Sequence, residues 1–272
     1  MTGTLIIDGT DVYTAYHISI AQGGYNGLVC MPPLKAINSN DWHEEDGIEP
    51  DLSSPVLNSR EFTLNLICDG VSDYFDSFMA LITDGAYHTF NFAAIGRTLS
   101  LRYVRIDSQD VYEDLGTFGV RFADDFPLSG YTYLAPVPLA VRNNRFRIDN
   151  KPISNYGLYF LQGTLDSIRK TADAKQNLLV NVRSQSGATY DGENVTLKSK
   201  TVQLLCYMTA NSLSTLWRNY DALLYDLVRI GGRKLYVQSE GQLYDFYYNS
   251  CQVTDFTPDC RWLEFTLTVT FY

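Results

Sequence analysis

The segment at residues 5–24 reads LIIDGTDVYTAYHISIAQGG, and the segment at residues 146–164 reads FRIDNKPISNYGLYFLQGT. The two resemble each other at a spacing of about 140 residues. The matched positions are Asp8 with Asp149, Val12 with Ile153, Tyr16 with Tyr156, and Gln22–Gly23 with Gln162–Gly163. Similarity at a fixed spacing indicates a structural unit that occurs twice.

Two further matches follow in the same order. VSDYFDSFMALITD at residues 71–84 resembles LSTLWRNYDALLYD at residues 213–226. Towards the ends of the two segments, Gly96 matches Gly241, Tyr103 matches Tyr248, and the alternating Phe118, Val120 and Phe122 match Leu263, Phe265 and Leu267. We therefore predict two copies of one fold: a first domain at residues 1–126, a second at residues 146–272, and a proline-containing linker at residues 127–145.

The predicted fold class is mainly β: a β-sandwich or barrel with one packed α-helix in each copy. Aromatic residues make up 14% of the chain and charged residues only 19%, a composition that favours strands. The C-terminal WLEFTLTVTFY alternates apolar and polar residues with the period of a strand. Apolar residues recur every three or four positions between Leu213 and Val228, which predicts a helix that Ser212 caps.

A long irregular arm interrupts each copy, at residues 24–58 and at residues 164–198. Loops longer than about 15 residues are uncommon unless they are functional or disordered. The two arms share little sequence, so we expect them to contact different neighbours. The candidate docking residues in the first arm are Trp42, His43, Glu44, Glu45 and Asp46.

The sequence gives little support for a catalytic site or a metal site. His43 begins HEEDG, but Gly47 stands where the second histidine of a zinc-protease helix would be needed. The acidic residues around it lack the spacing of an EF-hand, so a solvated loop is favoured over a calcium site. We therefore predict a protein that is not an enzyme and carries no cofactor or metal.

Charge, hydropathy and cysteine content restrict the classes of protein to which the chain could belong. The formal net charge is −10, which disfavours a protein that grips nucleic acid. The N-terminus lacks the features of a signal peptide, and no run of apolar residues is long enough for a membrane helix. The five cysteines favour free thiols in a reducing cytoplasm, although Cys251 and Cys260 could also meet across a hairpin.

The opening LIIDGTDV, followed by YHISIAQGGYNGL and by PPLK at residues 32–35, resembles the start of phage distal tail proteins. The order of strand, long arm, strand, helix and further strands resembles the tail-tube fold of that family. The resemblance implies a small β-sandwich that is flanked by a helix and carries a protruding loop. Distal tail proteins often have a galectin-like second domain, whereas the second half here resembles another tube-like unit. The position in the tail, as distal tail, baseplate hub or tube-end protein, is left open.

The resulting hypothesis is a structural protein of the phage tail, made in the bacterial cytoplasm and located in the virion. Its expected partners are further copies of itself, in a trimeric or hexameric ring, and other tail proteins. DNA would pass through the ring without specific binding, along a lumen lined by Glu264, Thr266, Thr268 and Thr270. The alternative is a two-domain β-sandwich adhesin that binds carbohydrate through aromatic residues.

Overall fold

Two seven-stranded antiparallel sheets dominate the computed structural model, which describes residues 3–139, 145–175, 179–190, 192, 195–258 and 260–272. The strands of the first sheet are β1 (Leu5–Ile7), β2 (Thr10–Asp11), β3 (Ile18–Ile20), β6 (Arg60–Asp69), β7 (His88–Phe92), β8 (Arg97–Tyr112) and β9 (Leu115–Asp124). Those of the second are β10 (Phe146–Ile148), β11 (Lys151–Pro152), β12 (Leu158–Phe160), β15 (Lys200–Thr209), β16 (Arg233–Val237), β17 (Gln242–Asp255) and β18 (Trp262–Phe271). The predicted mainly β fold is confirmed.

The order of strands is the same in both sheets. In the first it is β2-β1-β7-β8-β9-β6-β3, and in the second it is β11-β10-β16-β17-β18-β15-β12. Each strand of the second sheet occupies the place of the strand with the same rank in the first. The alternation predicted for the last strand is present, because Leu263, Phe265, Leu267, Val269 and Phe271 are all buried.

One long helix crosses each half. The first, α3 (Val71–Ile82), follows β6, and the second, α5 (Leu213–Leu227), follows β15. The predicted cap is present, since the Ser212 hydroxyl accepts the backbone N–H of Thr215. The helices differ in burial: α3 buries two residues, whereas α5 buries nine. The shorter helices are α1 (Val12–Tyr16), α2 (Asn26–Val29) and α4 (Thr164–Arg169).

Matched residues of the two halves make matched contacts. The Arg60 guanidinium donates hydrogen bonds to the backbone carbonyls of Leu28 and Cys30. The ammonium of Lys200, which replaces Arg60 in the second half, donates to the carbonyls of Ile168 and Lys170. Each cation therefore fastens the start of the preceding arm to its own sheet, near the short helices α2 and α4.

The arms have more regular structure than the sequence predicts. Each contains a two-stranded hairpin, formed by β4 (Ser39–Asn40) with β5 (Glu49–Pro50) and by β13 (Leu179–Val180) with β14 (Thr189–Tyr190). A single bridge closes the base of each arm, between Leu34 and Leu57 and between Ala174 and Leu197. Although the side chains differ, the two hairpins have the same length and carry a glycine with positive φ in the same turn position, Gly47 and Gly187.

A buried cation links the start of each half to the end of its long helix. In the first half the cation is His88, whose Nδ1 lies 2.6 Å from Asp8 Oδ2 and whose Nε2 lies 3.0 Å from Asp84 Oδ1. In the second half Arg233 takes this place, with Nη1 2.8 Å from Asp149 Oδ2. A histidine between two carboxylates satisfies both only as the doubly protonated imidazolium.

This pair of carboxylates predicts that stability falls as the pH rises. Burial of the ring lowers the pKa of His88, but the hydrogen bonds and charges of Asp8 and Asp84 outweigh it and raise the pKa above the ordinary 6.5. A raised pKa in the folded state stabilises fully below the pKa of the unfolded chain, and this contribution is lost as the pH rises through the folded value. We expect urea unfolding at pH 5.5 to 8.5 to show such a decline. His88→Gln, which cannot become charged, should flatten it; an unchanged profile in this variant would contradict the assignment.

Candidate functional site

The tip of the first arm lies against the second half of the chain, where Lys175 holds it. The Lys175 ammonium donates to the backbone carbonyls of Trp42 and Glu45, each at 2.7 Å. It also lies 2.7 Å from the carboxylate of Asp41, and its side chain is only 3% exposed. The hydrogen bond from Lys175 lowers the pKa of the Asp41 carboxyl. Three acceptors therefore surround one buried charge, the condition under which burial of an ammonium is tolerated.

Backbone groups complete this contact. The Gly47 N–H donates to the carbonyl of Leu197 at 2.7 Å, and the Leu197 N–H donates to the Asp46 carboxylate at 2.7 Å. The hydroxyl of Thr196 donates to the carbonyl of His43 at 2.8 Å. Gly47 has a φ of +74°, and a Cβ at this position would lie 3.0 Å from the backbone carbon of Tyr272. Glycine thus permits both the turn and the close approach.

The base of the first arm crosses the second sheet at a β-bulge. The Tyr248 hydroxyl donates to the Pro32 carbonyl at 2.9 Å and is fully buried. The Leu34 N–H donates at 2.8 Å to the carbonyl of Asn249, where the pairing of β17 with β18 shifts register. A bulge leaves a backbone group without its ladder partner, and here the arm supplies one.

A third contact joins α5 to the first sheet. The indole N–H of Trp217 donates to the Ile95 carbonyl at 2.6 Å. Arg97 lies over the indole ring, 4.4 Å from its centroid, and forms two hydrogen bonds of 2.8 Å with the Asp221 carboxylate. Stacking and a bidentate ion pair on one arginine fix the orientation of α5 relative to β8.

The described part of the predicted linker, residues 127–139, packs along α5. The buried Asn219 side chain accepts the Val137 N–H at 2.7 Å and donates to the Val137 carbonyl at 3.0 Å. The Arg218 guanidinium donates to the Ala135 carbonyl, and the Tyr133 hydroxyl donates to Asp226. These bonds attach the segment to the second half. Residues 140–144 of the linker lie outside the described residues.

The predicted docking residues lie at this contact, but among their side chains only that of Asp46 takes part in it. Trp42, His43, Glu44 and Glu45 are exposed, and the Trp42 indole donates to Glu49 within the arm. The contact uses backbone carbonyls and the carboxylates of Asp41 and Asp46. The sequence did not indicate that Lys175, Tyr248 and Trp217 contact the first half. The signal for Lys175 was its spacing from Lys35, which equals that between Gly47 and Gly187.

The predicted lumen-facing strand has a partly solvated outer face. Glu264, Thr266 and Thr268 are partly exposed, whereas Thr270 is 7% exposed and accepts a hydrogen bond from Asn249. Thr270 thus differs from the expected solvated position, because the side chain of the bulged Asn249 covers it.

The corresponding outer face of the first sheet carries paired charges. Asp107 accepts from Arg105 at 2.7 Å and from Arg121 at 2.8 Å, and Arg121 also lies 3.7 Å from Glu61. The hydrogen bonds from Arg105 and Thr63, together with Arg121, lower the pKa of the Asp107 carboxyl. Each arginine is therefore balanced by a carboxylate.

Other candidate sites gain little support. Among the residues in the ranges given above, no three His, Cys, Asp or Glu side chains are grouped as metal ligands, and no helix is long and apolar enough to cross a membrane. All five cysteines are free thiols, including Cys251 and Cys260. Phe246 and Tyr248 are buried, which favours strand packing over a carbohydrate platform for this aromatic segment.

Lys175→Met should loosen the arm while leaving both sheets folded. The variant keeps the apolar stem but removes the charge that three acceptors share, and a hydrogen bond to a charged group contributes about 1.5–3 kcal/mol net of its exchange with water. We expect faster proteolysis within residues 39–50 and a lower unfolding temperature. Lys35→Met, the matched change at an exposed position, should alter neither; equal effects of the two would contradict the role of Lys175.

Comparison with known proteins gives a similarity in structure but none in sequence. No family model matches the chain, and no curated protein matches it in sequence. Among solved structures, the chain is similar to the Dit protein of phage SPP1, described as a paradigm of the hub adsorption apparatus in phages that infect Gram-positive bacteria. The identity is 13%, the alignment covers 98% of this chain and 97% of that one, and the TM-score is 0.37. This TM-score is too low to establish a shared fold.

Proposed function

We propose that the chain is a structural component of a bacteriophage tail that forms a ring around the DNA channel. It would act at the distal tail, the baseplate hub or the end of the tube, where it joins neighbouring tail proteins. The observation that carries the proposal is the contact of the first arm with the second half. A contact between one surface of a unit and a different surface of the next is the heterologous contact from which rings are built.

The proposal includes a duplication within the chain. The identical order of strands, and the matched contacts of Arg60 and Lys200, support two fused copies at residues 1–126 and 146–272, with the linker at residues 127–145. Each copy is a tube-like unit in this reading. Three chains would then supply six similar positions.

A lumen lined by the outer faces of the two sheets would suit passing DNA. The hydroxyls of Thr266 and Thr268 and the carboxylate of Glu264 offer no positive charge to phosphate, and the arginines of the first sheet are already paired. A channel without free positive charge does not retain a polyanion. The net charge of −10 also disfavours retention of DNA.

The test is the location of the chain in particles of the phage that encodes it. Mass spectrometry of purified tails should detect the protein in a constant ratio to the other tail proteins. Cryo-electron microscopy of the same tails should show it as a closed ring whose channel exposes Glu264, Thr266 and Thr268. A protein missing from the tails, or a ring whose channel exposes unpaired lysine or arginine, would overturn the proposal; sugar binding by an isolated monomer would favour the adhesin instead.

A further inference from the structure

We infer that residues 181–187, at the tip of the second arm, dock onto the surface around Lys35 of a second copy of this chain. The inference rests on the proposed function, and it specifies the surfaces through which one chain meets the next. The contact of the first arm with Lys175 within one chain shows the arrangement that we expect between two chains. Lys175, Leu197, Tyr248 and Trp217 have the counterparts Lys35, Leu57, Tyr103 and Phe75 in the first half, all of them exposed or partly exposed; only the Thr196 hydroxyl is not repeated, because Val56 takes its place.

The lysine is the central counterpart. Lys35 and Lys175 lie at the same place at the base of their arms: the Lys35 N–H donates to the Val56 carbonyl at 2.9 Å, and the Lys175 N–H donates to the Thr196 carbonyl at 2.8 Å. Lys175 is buried with three acceptors, whereas Lys35 is exposed and its ammonium contacts no acceptor in the described part of the chain.

The second arm offers the acceptors that Lys35 lacks. The positions equivalent to Asp41, Trp42 and Glu45 are Asn181, Val182 and Gln185, and all three are exposed. The carbonyls of Val182 and Gln185 and the amide oxygen of Asn181 can surround an ammonium as their equivalents do. Gly187, like Gly47, has a positive φ, and no atom lies within 4 Å of the position that a Cβ would take. The tip thus has the shape of the docked hairpin without its neighbour.

The tyrosine and the bulge are repeated as well. Tyr103 is the counterpart of Tyr248, but it is only partly buried and its hydroxyl forms no hydrogen bond to any described residue. The pairing of β8 with β9 shifts register between Tyr103 and Arg105, as β17 does beside Tyr248. In the same arrangement, Tyr103 would donate to the carbonyl of Ala172 in the second copy, and Val104 would accept the N–H of Ala174.

The long helices also differ in burial: α5 is covered by residues of the first half, whereas α3 lacks an equivalent cover. Ile95 and Arg97 of the first half cover Trp217 on α5. The equivalent position to Arg97 is Gln242, which is exposed together with Leu243. On α3, the matched Phe75 is only partly buried. The greater burial of α5 therefore comes partly from contacts that α3 lacks within a single chain.

Apolar exposure on both surfaces identifies the occupant as protein. Leu179, Val180 and Val182 in the second arm are between 42% and 49% exposed. Beside Lys35, Val56 is 49% exposed and Phe126 is 59% exposed. Clustered apolar side chains at two surfaces that match in shape are typical of contacts between protein chains. A second copy of this chain is the partner that brings the complementary surface with it.

Cross-linking between two single-cysteine additions tests the contact. Val56→Cys protein, which keeps Lys35, is mixed with Gln185→Cys protein at high concentration, and a short bismaleimide is added. We expect a covalent dimer in the mixture that exceeds the background from native cysteines, defined by the wild type and by each variant alone. The matched control within one chain, Glu45→Cys with Thr196→Cys, keeps Lys175 and should cross-link with no gain in mass beyond that of the linker. Glu113→Cys with Gln185→Cys should give background only, because Glu113 lies at the distant turn between β8 and β9.

Self-association gives the second measurement. Sedimentation of the full chain should show concentration-dependent association, and Lys35→Glu should weaken it by at least about tenfold, equivalent to about 1.4 kcal/mol. Lys35 is exposed, so circular dichroism should show an unchanged fold. A chain that remains monomeric, a mixed dimer no more abundant than background, or unaltered association of Lys35→Glu would overturn the inference. The proposed function would survive each of these results if purified tails still contain the protein in a ring.

Discussion

Trp217→Ala is expected to lower the free energy of unfolding by about 3–5 kcal/mol, the range measured for truncation of large buried aromatic residues. Trp217 is 6% exposed and packs against Tyr220 and Phe256. Its removal would leave a cavity, deprive the Ile95 carbonyl of its donor and take the stacking surface from Arg97. Urea unfolding monitored by far-ultraviolet circular dichroism measures the effect.

Two controls separate the causes of this loss. Trp217→Phe keeps most of the ring but not the N–H, so it should cost about 1–3 kcal/mol, the range for a buried acceptor left unpaired. Phe75→Ala changes the matched residue of α3, which is only partly buried, and should cost less than Trp217→Ala. If the two alanine variants lose equal stability, the contact of Trp217 with the first half contributes nothing.

Asp226→Ala is expected to cost about 3–5 kcal/mol, as is usual when one partner of a buried charged group is removed. The Asp226 side chain is 5% exposed and accepts from Tyr156 at 2.5 Å and from Tyr133 at 3.2 Å. Tyr156 is buried, so its hydroxyl would be left without this acceptor. Burial and the bond to Asp226 raise the pKa of Tyr156, because both favour the phenol over the phenolate.

A double-mutant cycle identifies the bond to Tyr156 as the main cause. Tyr156→Phe removes the hydroxyl, and Asp226→Ala in that background should cost less than in the wild type by about 1–2 kcal/mol. Additive effects would show instead that the loss comes from Tyr133, Lys151 and Arg229. Asp84→Ala, at the matched and half-exposed position in the first half, should cost less than Asp226→Ala.

The sequence was sufficient to predict the fold class and the principal elements. The alternation in residues 262–272 and the periodicity between Leu213 and Val228 report which residues face a core, and burial in the structure follows both patterns. The Ser212 cap was predicted because capping is local. The arms were harder: their side chains differ, and a hairpin of two-residue strands has too short a pattern to be recognised.

The candidate site could be predicted only in part. Acidic residues drew attention to the first arm, yet backbone carbonyls of Trp42 and Glu45 make much of its contact, and backbone groups carry no sequence signal. Lys175 gave no reason to expect a buried charge, since burial of a lysine depends on acceptors brought from far along the chain. Comparison of the two halves, more than either half alone, locates the surface around Lys35.

The attachment of the first arm to Lys175 has a kinetic consequence for assembly. Two binding elements on one polypeptide meet at an effective concentration set by their connection, whatever the dilution of the protein. In a ring of three such chains, every second contact between neighbouring units would lie within one chain and form as that chain folds. Only the other contacts, between chains, would require collision between molecules. Dilution would then separate the ring into whole chains whose internal contacts stay intact. Substitutions at the contacts between chains could accumulate without weakening those within a chain.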